Sequence, residues 1–235
     1  FLTSPTVAPL LEHHPDVDAV RTIRLTDPLT ELRRAFLHGV EVAVFLKPFR
    51  RLMWAAWLAR VPIRIATGYR WYSPLSNRRI YEHRSEFSKH ESTYNVEMLR
   101  GLGLSPRKVQ PPTLFVTEQE RMIGTSLWAS LPGPRVVVHP GGLSARRWRP
   151  ESYQDLAFEL AQAGYGVILT GSESEKKQFE ASAPPPTPIP TQIMNCMGQL
   201  SLRQLMAVIA NAHVVVSGAT GPAHMAAALG IPTVS

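Results

Sequence analysis

Three short apolar runs in the second half of the chain, each ending at a glycine turn that leads into a helical segment, constrain the fold most. Arg135–His139 runs into Pro140-Gly141-Gly142, Gly166–Thr170 into Gly171, and His213–Ser217 into Gly218. Their centres are unbroken Val, Ile and Leu rather than an alternation, the pattern of strands covered on both faces. The stretches between them read as helices. Pro150 opens one with Tyr153, Leu156, Ala157 and Leu160 on a single face, closed by Gly164. A polar helix spans roughly Glu173 to Ala181, and Pro184 to Pro190 is a loop. Ser201-Leu202-Arg203-Gln204 is a capping box ahead of Leu202, Leu205, Met206 and Ile209, one buried stripe. A helix of small residues starts at Thr220 and ends at Gly230, and Ile231–Val234 begins another strand. Strand and helix alternate throughout, which predicts a doubly wound α/β fold with a parallel sheet.

The first half is similar but less regular. Strands are expected at Phe1–Ser4, Glu41–Leu46 and Ile63–Ala66, and helices at Thr6–His14, Arg51–Ala59 and His90–Leu102. Tyr69–Lys89 is basic and aromatic without a clear period and reads as a long loop. Pro111-Pro112 suggests a linker, and a helix is expected near Glu118–Trp128. The expected organisation is a domain over 1–115, a junction over 116–134 and a second domain over 135–235. The chain starts on a strand-like segment and stops inside an apolar one, so it reads as truncated at both ends.

Charge separates the halves. Residues 1–108 hold 17 basic and 10 acidic side chains, a surplus of +7, while residues 109–235 hold 8 of each. The basic half suits an anionic partner or a merely solvated face. A single cysteine, Cys196, excludes a disulfide framework, and no apolar run approaches the roughly 18 residues of a membrane span.

Three strand-to-helix junctions carry the candidate chemistry. His139-Pro140-Gly141-Gly142-Leu143-Ser144-Ala145-Arg146-Arg147-Trp148 combines glycines, which let backbone N–H groups approach an anion, with guanidinium groups that favour phosphate. It also suits a tight turn with solvated arginines. Ser217-Gly218-Ala219-Thr220-Gly221-Pro222-Ala223-His224 could present N–H and hydroxyl donors to a diphosphate, or simply cap a helix against which His224 packs. Gly171-Ser172-Glu173-Ser174-Glu175 places carboxylates where a ribose diol could be held, though charged helix starts are common. In an open α/β sheet such junctions converge on one edge.

Together these pieces resemble glycosyltransferase family 9, the group of the ADP-heptose:lipopolysaccharide heptosyltransferases. The matching segments are His139–Gly142 with Arg146-Arg147-Trp148, Leu169–Glu173, Gly198 with the Ser201–Ala212 helix, and Thr220–His224 with Ala226–Gly230. Asn77-Arg78-Arg79 and the helix from His90 to Leu99 match in the first half. The resemblance implies two Rossmann-like domains facing a cleft, the glycosyltransferase B architecture, with donor on the second domain and acceptor on the first. It implies that Gly141, Gly142, Ser144 and Arg147 lie in the loop at the donor diphosphate. Arg146, where the family usually has lysine, would stabilise the leaving diphosphate. Glu175, or Glu173, would hold the ribose and Leu200 would lie at the adenine. Thr220, Gly221 and His224 would lie under the sugar and phosphates. Ala219 stands where many members carry an aspartate that binds sugar hydroxyls. The family's general base lies in a segment this sequence does not contain.

The implied reaction is an inverting, metal-independent transfer of a sugar, by implication heptose from ADP-heptose, to the lipopolysaccharide inner core. No metal site and no cofactor beyond the nucleotide-sugar co-substrate are expected. Arg78, Arg79 and Lys89 are the acceptor-side candidates, within a wider basic set of Arg33, Arg34, Lys47, Arg50, Arg51 and Arg84. A lipid-linked anionic glycan, a cytoplasmic location and peripheral contact with the inner membrane follow from the same resemblance. The alternative is a nucleotide-sugar-binding protein of this fold without transfer activity or with another sugar. A nucleic-acid partner is not expected, because no basic recognition helix or aromatic-basic strand motif occurs.

Overall fold

A computed structural model describes residues 1–37, 39–86, 88–105, 109–141, 148–183 and 188–235. The chain divides into two compact units, one of residues 1–8 and 19–112, the other of residues 9–18 and 113–235. Residues 9–18 therefore pack with the second unit, although they precede most of the first.

The first unit contains strands β1 (Leu2–Thr3) and β2 (Arg21–Thr22), helix α1 (Leu29–Arg34), β3 (Val42–Val44), α2 (Arg50–Leu58), β4 (Ile63–Thr67), β5 (Arg78–Ile80) and α3 (Glu91–Glu97). β1 and β2 form a parallel pair, and β3, β4 and β5 a parallel sheet in that order. Leu32, Phe36, Ala43, Phe45, Met53, Ala55, Ala56, Val61 and Ala66 form its core. Two expectations fail here. The long loop expected over Tyr69–Lys89 contains strand β5, and the helix expected over Thr6–His14 is only a 3₁₀ turn at Ala8–Leu11. The helix expected over His90–Leu102 changes pitch, with α3 ending at Glu97 and Met98–Leu102 continuing as 3₁₀ to a left-handed Gly103.

The second unit contains α4 (Glu118–Trp128), β6 (Arg135–His139), α5 (Pro150–Gln162), β7 (Gly166–Leu169), α6 (Glu173–Ser182), β8 (Ile193–Asn195), α7 (Leu202–Ala210), β9 (Val214–Ser217), α8 (Gly221–Ala228) and β10 (Thr233–Val234). All five strands are parallel in the order β10-β9-β6-β7-β8. The chain thus starts in mid-sheet, winds outward through β7 and β8, and returns to the other side of β6 for β9 and β10. That reversal is the topological switch point of a doubly wound fold.

Strand pleating explains the two layers. Val136, Val138, Val167 and Leu169 face α5 and α6, packing on Tyr153, Ala157 and Phe179. Val137, Ile168 and Val215 face the other way, onto Trp128, the buried face of α7, and Met225 and Ala226 of α8. Both faces being covered is why these runs are continuously apolar. Helix α4 can lie close on α7 because position 124 is glycine: a Cβ there would meet the carbonyl of Ala207 well inside contact distance. The Trp128 indole N–H donates to Val208 O at 3.1 Å, and Arg203 of α7 binds Glu120 of α4 through two hydrogen bonds of 2.7 and 2.5 Å. The Arg203 guanidinium holds the Glu120 carboxyl at about 2, far below the usual carboxylate value.

Candidate functional site

The carboxyl ends of β9, β6 and β7 carry a buried polar row. Register pairs His139 with Ser217, and Thr170 follows β7 with its N–H donating to Val138 O at 3.0 Å. Ser217, His139 and Thr170 are 2%, 5% and 0% exposed. Buried polar groups on an otherwise apolar sheet require partners, and these have them. His139 Nδ1 and Thr170 Oγ1 share a hydrogen bond of 3.0 Å. Ser217 Oγ donates to Gly218 O at 3.1 Å, so the 2.9 Å bond with Thr220 Oγ1 is donated by the threonine. Burial holds His139 below its ordinary pKa, with the nearby Glu175 carboxylate pulling the other way.

Glu175 joins this row to the start of α6. Ser172 Oγ accepts from Glu175 N, and Glu175 Oε2 accepts from Ser172 N at 2.7 Å and Ser172 Oγ at 2.8 Å, a complete capping box. Glu175 Oε1 lies 3.9 Å from His139 Nε2. The carboxylate also packs on Gly141. A Cβ built on Gly141 would stand 2.9 Å from Glu175 Oε2 and closer still to Oε1. The glycine therefore makes room for the acid, and the acid faces the start of the β6 turn. Of that turn, Gly142, Ser144, Arg146 and Arg147 lie outside the described residues. Trp148 beyond them is exposed, its ring centroid 5.6 Å from that of Tyr153.

Glu173 stands one residue into α6. Its carboxylate packs against Gly198, which has φ +75°, and lies 3.7 Å from Lys177 Nζ. Gly198 N donates to Gly171 O at 2.8 Å, which ties the turn after β8 to the turn after β7. Leu200 follows in that turn, its side chain packed against the core, immediately before Ser201 caps α7 through the expected box with Gln204.

At α8 the Thr220 side chain makes no capping bond to the helix. Its hydroxyl hydrogen goes to Ser217, and among the described residues no side-chain hydrogen bond to the first-turn N–H groups is present. A Cβ at Gly221 would meet none of the described residues within 4 Å. A helix N-terminus of this kind favours an anion. His224, one turn in, is exposed. Gly141, Glu175, Glu173, Thr220 and Gly221 thus all lie at the carboxyl edge of one sheet, astride the switch point between β6 and β9. The row of Ser217, His139 and Thr170 went unread in the sequence. Its one local signal is that each is the polar residue ending an apolar run. The S-x-x-E box at Ser172–Glu175 was a further signal.

In the first unit Arg78 and Arg79 are exposed on β5 and bind none of the described residues. With Arg100 and the Gly101–Gly103 turn they line an open depression of about 640 Å³. Lys89 does not line it but lies next to Arg100 in a network, binding Glu82 at 3.0 Å and Glu97 at 2.8 Å, while Arg100 binds the same two acids at 2.8 and 3.1 Å. The described residues contain no cluster of three or more His, Cys, Asp or Glu suited to a metal ion, and no helix long and apolar enough to cross a membrane.

Comparison with known proteins identifies the family. Lipopolysaccharide heptosyltransferase 2 of Salmonella typhimurium is 30% identical over 146 residues, 60% of this chain and 42% of the relative. The chain spans about half the length or less of the curated relatives it matches. The solved glycosyltransferase family 9 protein of Veillonella parvula superposes with TM-score 0.84 at 17% identity, over 99% of this chain and 69% of that one. ADP-heptose lps heptosyltransferase II of Escherichia coli gives 0.80 at 23% identity, over 99% and 73%. The sequence profile described as glycosyltransferase family 9 (heptosyltransferase) matches residues 49–235. With that match over most of its length, the chain belongs to glycosyltransferase family 9.

Proposed function

We propose that the protein is an inverting glycosyltransferase that moves a sugar, heptose by family, from a nucleoside diphosphate donor to the lipopolysaccharide inner core. The observation that carries this reading is the convergence of three strand-to-helix junctions at the switch point of the second unit's sheet. Uncapped N–H groups at α8 and the glycine turn after β6 suit the diphosphate, and Glu175 with Glu173 suits the ribose. The Escherichia coli structure named for ADP-heptose supports adenine as the base. In the reaction the acceptor oxygen bonds to the anomeric carbon as the bond from that carbon to the diphosphate oxygen breaks. A general base takes the hydroxyl proton. Helix N-termini and Arg146 stabilise the leaving charge, an electrostatic contribution that is usually the largest in such transfers. Arg78 and Arg79, unpaired beside their depression, suit a phosphorylated, lipid-linked glycan, and the enzyme would meet it as a cytoplasmic protein at the inner membrane. Ala219 favours a second reading, a donor sugar that needs no acceptor group there or a nucleotide-sugar binder without transfer, because a methyl cannot accept a sugar hydroxyl.

The test is calorimetry of ADP, UDP, GDP and ADP-heptose with the full-length protein at fixed salt. Selective ADP or ADP-heptose binding, weakened about tenfold or more by Glu175→Ala or Arg146→Ala, supports the donor site. Preference for another nucleotide replaces the sugar class, and absence of binding removes the proposal.

A further inference from the structure

Residues 42–81 carry eight cations and no carboxylate, and they hold three of the chain's five tryptophans. All three are exposed. Helix α2 turns Met53, Ala55 and Ala56 into the core of the first unit. Its outer face presents Trp54, Trp57 and Leu58, which share that face by their i, i+3, i+4 spacing and are 40%, 45% and 38% exposed. The two indoles meet edge to face with centroids 5.4 Å apart. Trp71 is 74% exposed, and the Arg50 guanidinium lies 5.7 Å over its ring, which joins this segment to the first turn of α2. Not every cation here is available. Arg51 is spent on Leu25 O and Asp27 O, and Arg64 on Leu75 O and Val61 O. Arg60 just past the helix and Arg70 beside Trp71 are exposed.

Exposed large apolar side chains gathered on one helix face mark an interaction surface. Indoles beside guanidinium groups, in a segment of eight cations and no carboxylate, fit one occupant. Indole rings settle at the boundary between water and hydrocarbon, and arginines lie at the phosphates above it. Stacking on nucleic-acid bases fits less well, since Trp54 and Trp57 pack on each other and Arg50 covers one face of Trp71. We propose that the outer face of α2, together with Trp71, is a docking surface for an anionic phospholipid headgroup layer. The inference does not depend on the donor site and is read without either substrate.

Co-sedimentation of the full-length protein with vesicles tests it, using phosphatidylcholine alone and an equal mixture with phosphatidylglycerol. Binding is expected to the mixed vesicles, weakly or not at all to the neutral ones, and to fall with added salt. The pair Arg60→Ala and Arg70→Ala should lower the partition about thirtyfold, near fivefold for each cation removed. Trp54→Ser with Trp57→Ser should lower it about tenfold or more, while Trp57→Phe alone keeps most of it. Circular dichroism checks that the variants fold. No binding by the parent, equal binding to neutral vesicles, or tryptophan variants that bind like the parent would overturn the proposal. So would single-stranded DNA that displaces the protein from the mixed vesicles, which would assign the face to nucleic acid.

Discussion

Gly141→Ala is the sharpest test of the donor-site geometry, because a single methyl reaches a single acid. No left-handed backbone is involved at this position, so the effect is one of space alone. The added Cβ would lie 2.9 Å from Glu175 Oε2 and closer to Oε1, whereas real Cβ atoms essentially never come within 3.0 Å of such a neighbour. Something must move by about an ångström. The carboxylate is the movable party, but Oε2 is held by Ser172 N and Oγ at 2.7 and 2.8 Å. Losing that capping box costs about 0.5–2 kcal/mol. Water can take over part of the bonding, since the Glu175 side chain is 27% exposed. At about 2–4 °C per kcal/mol for a protein of this size, the thermal midpoint should fall by roughly 1–8 °C. If Glu175 holds the ribose, ADP affinity should fall about tenfold or more in the same variant. Glu175→Ala and the double variant complete a cycle. Displacement of the carboxylate requires the double variant to be no less stable than Glu175→Ala alone, within about 0.5 kcal/mol. Fully additive losses, or an unchanged midpoint and unchanged ADP affinity in Gly141→Ala, would refute the argument.

Acid should find the α4–α7 contact: with Glu120 held at about 2, its pairing with Arg203 contributes on the order of 2 kcal/mol after allowance for its wet rim. That contribution is whole above about pH 4.5 and is lost as pH falls toward 2, so urea unfolding of Arg203→Met and parent should converge in acid and separate near neutrality. His139 is buried with a lowered pKa, so the unfolded chain takes up its proton first as pH falls below about 6.5. His139→Asn should destabilise the protein at pH about 8, by about 1–3 kcal/mol for the hydrogen bond lost to Thr170, and by less near pH about 5. Lys89→Met should lower the thermal midpoint, because it leaves the nearly buried Glu97 to Arg100 alone. Arg78→Ala with Arg79→Ala should leave that midpoint within about 2 °C of the parent, so any loss of transfer they cause is read as loss of acceptor binding.

What could be read from the sequence follows from how each element is covered. β6, β7 and β9 are sandwiched between helical layers, so every position is apolar and the runs stand out. β5 is an edge strand whose first two residues are exposed arginines, and β2 is exposed at both. Neither has a face to give it a period. α1 buries only Leu32 among its six residues, and β8 has three half-buried ones, too little for a pattern to build. The same logic divides the site. Glycines and helix caps act within a few residues, so the three junctions were legible one at a time. The row beneath them was not, because His139, Thr170 and Ser217 are 31 and 78 residues from one another along the chain and only strand register brings them together. Glu175 shows why local reading also understates a residue. Its spacing from Ser172 signals a cap, and the resemblance implies a ribose ligand, as though these were rivals. In the structure Oε2 serves the cap, while Oε1 faces His139 and Gly141. The capping box then fixes the carboxylate in place before any nucleotide arrives, and a rigid acid spends less entropy on binding than a free one. A side chain at position 141 would push this carboxylate off its cap, and glycine there leaves it room.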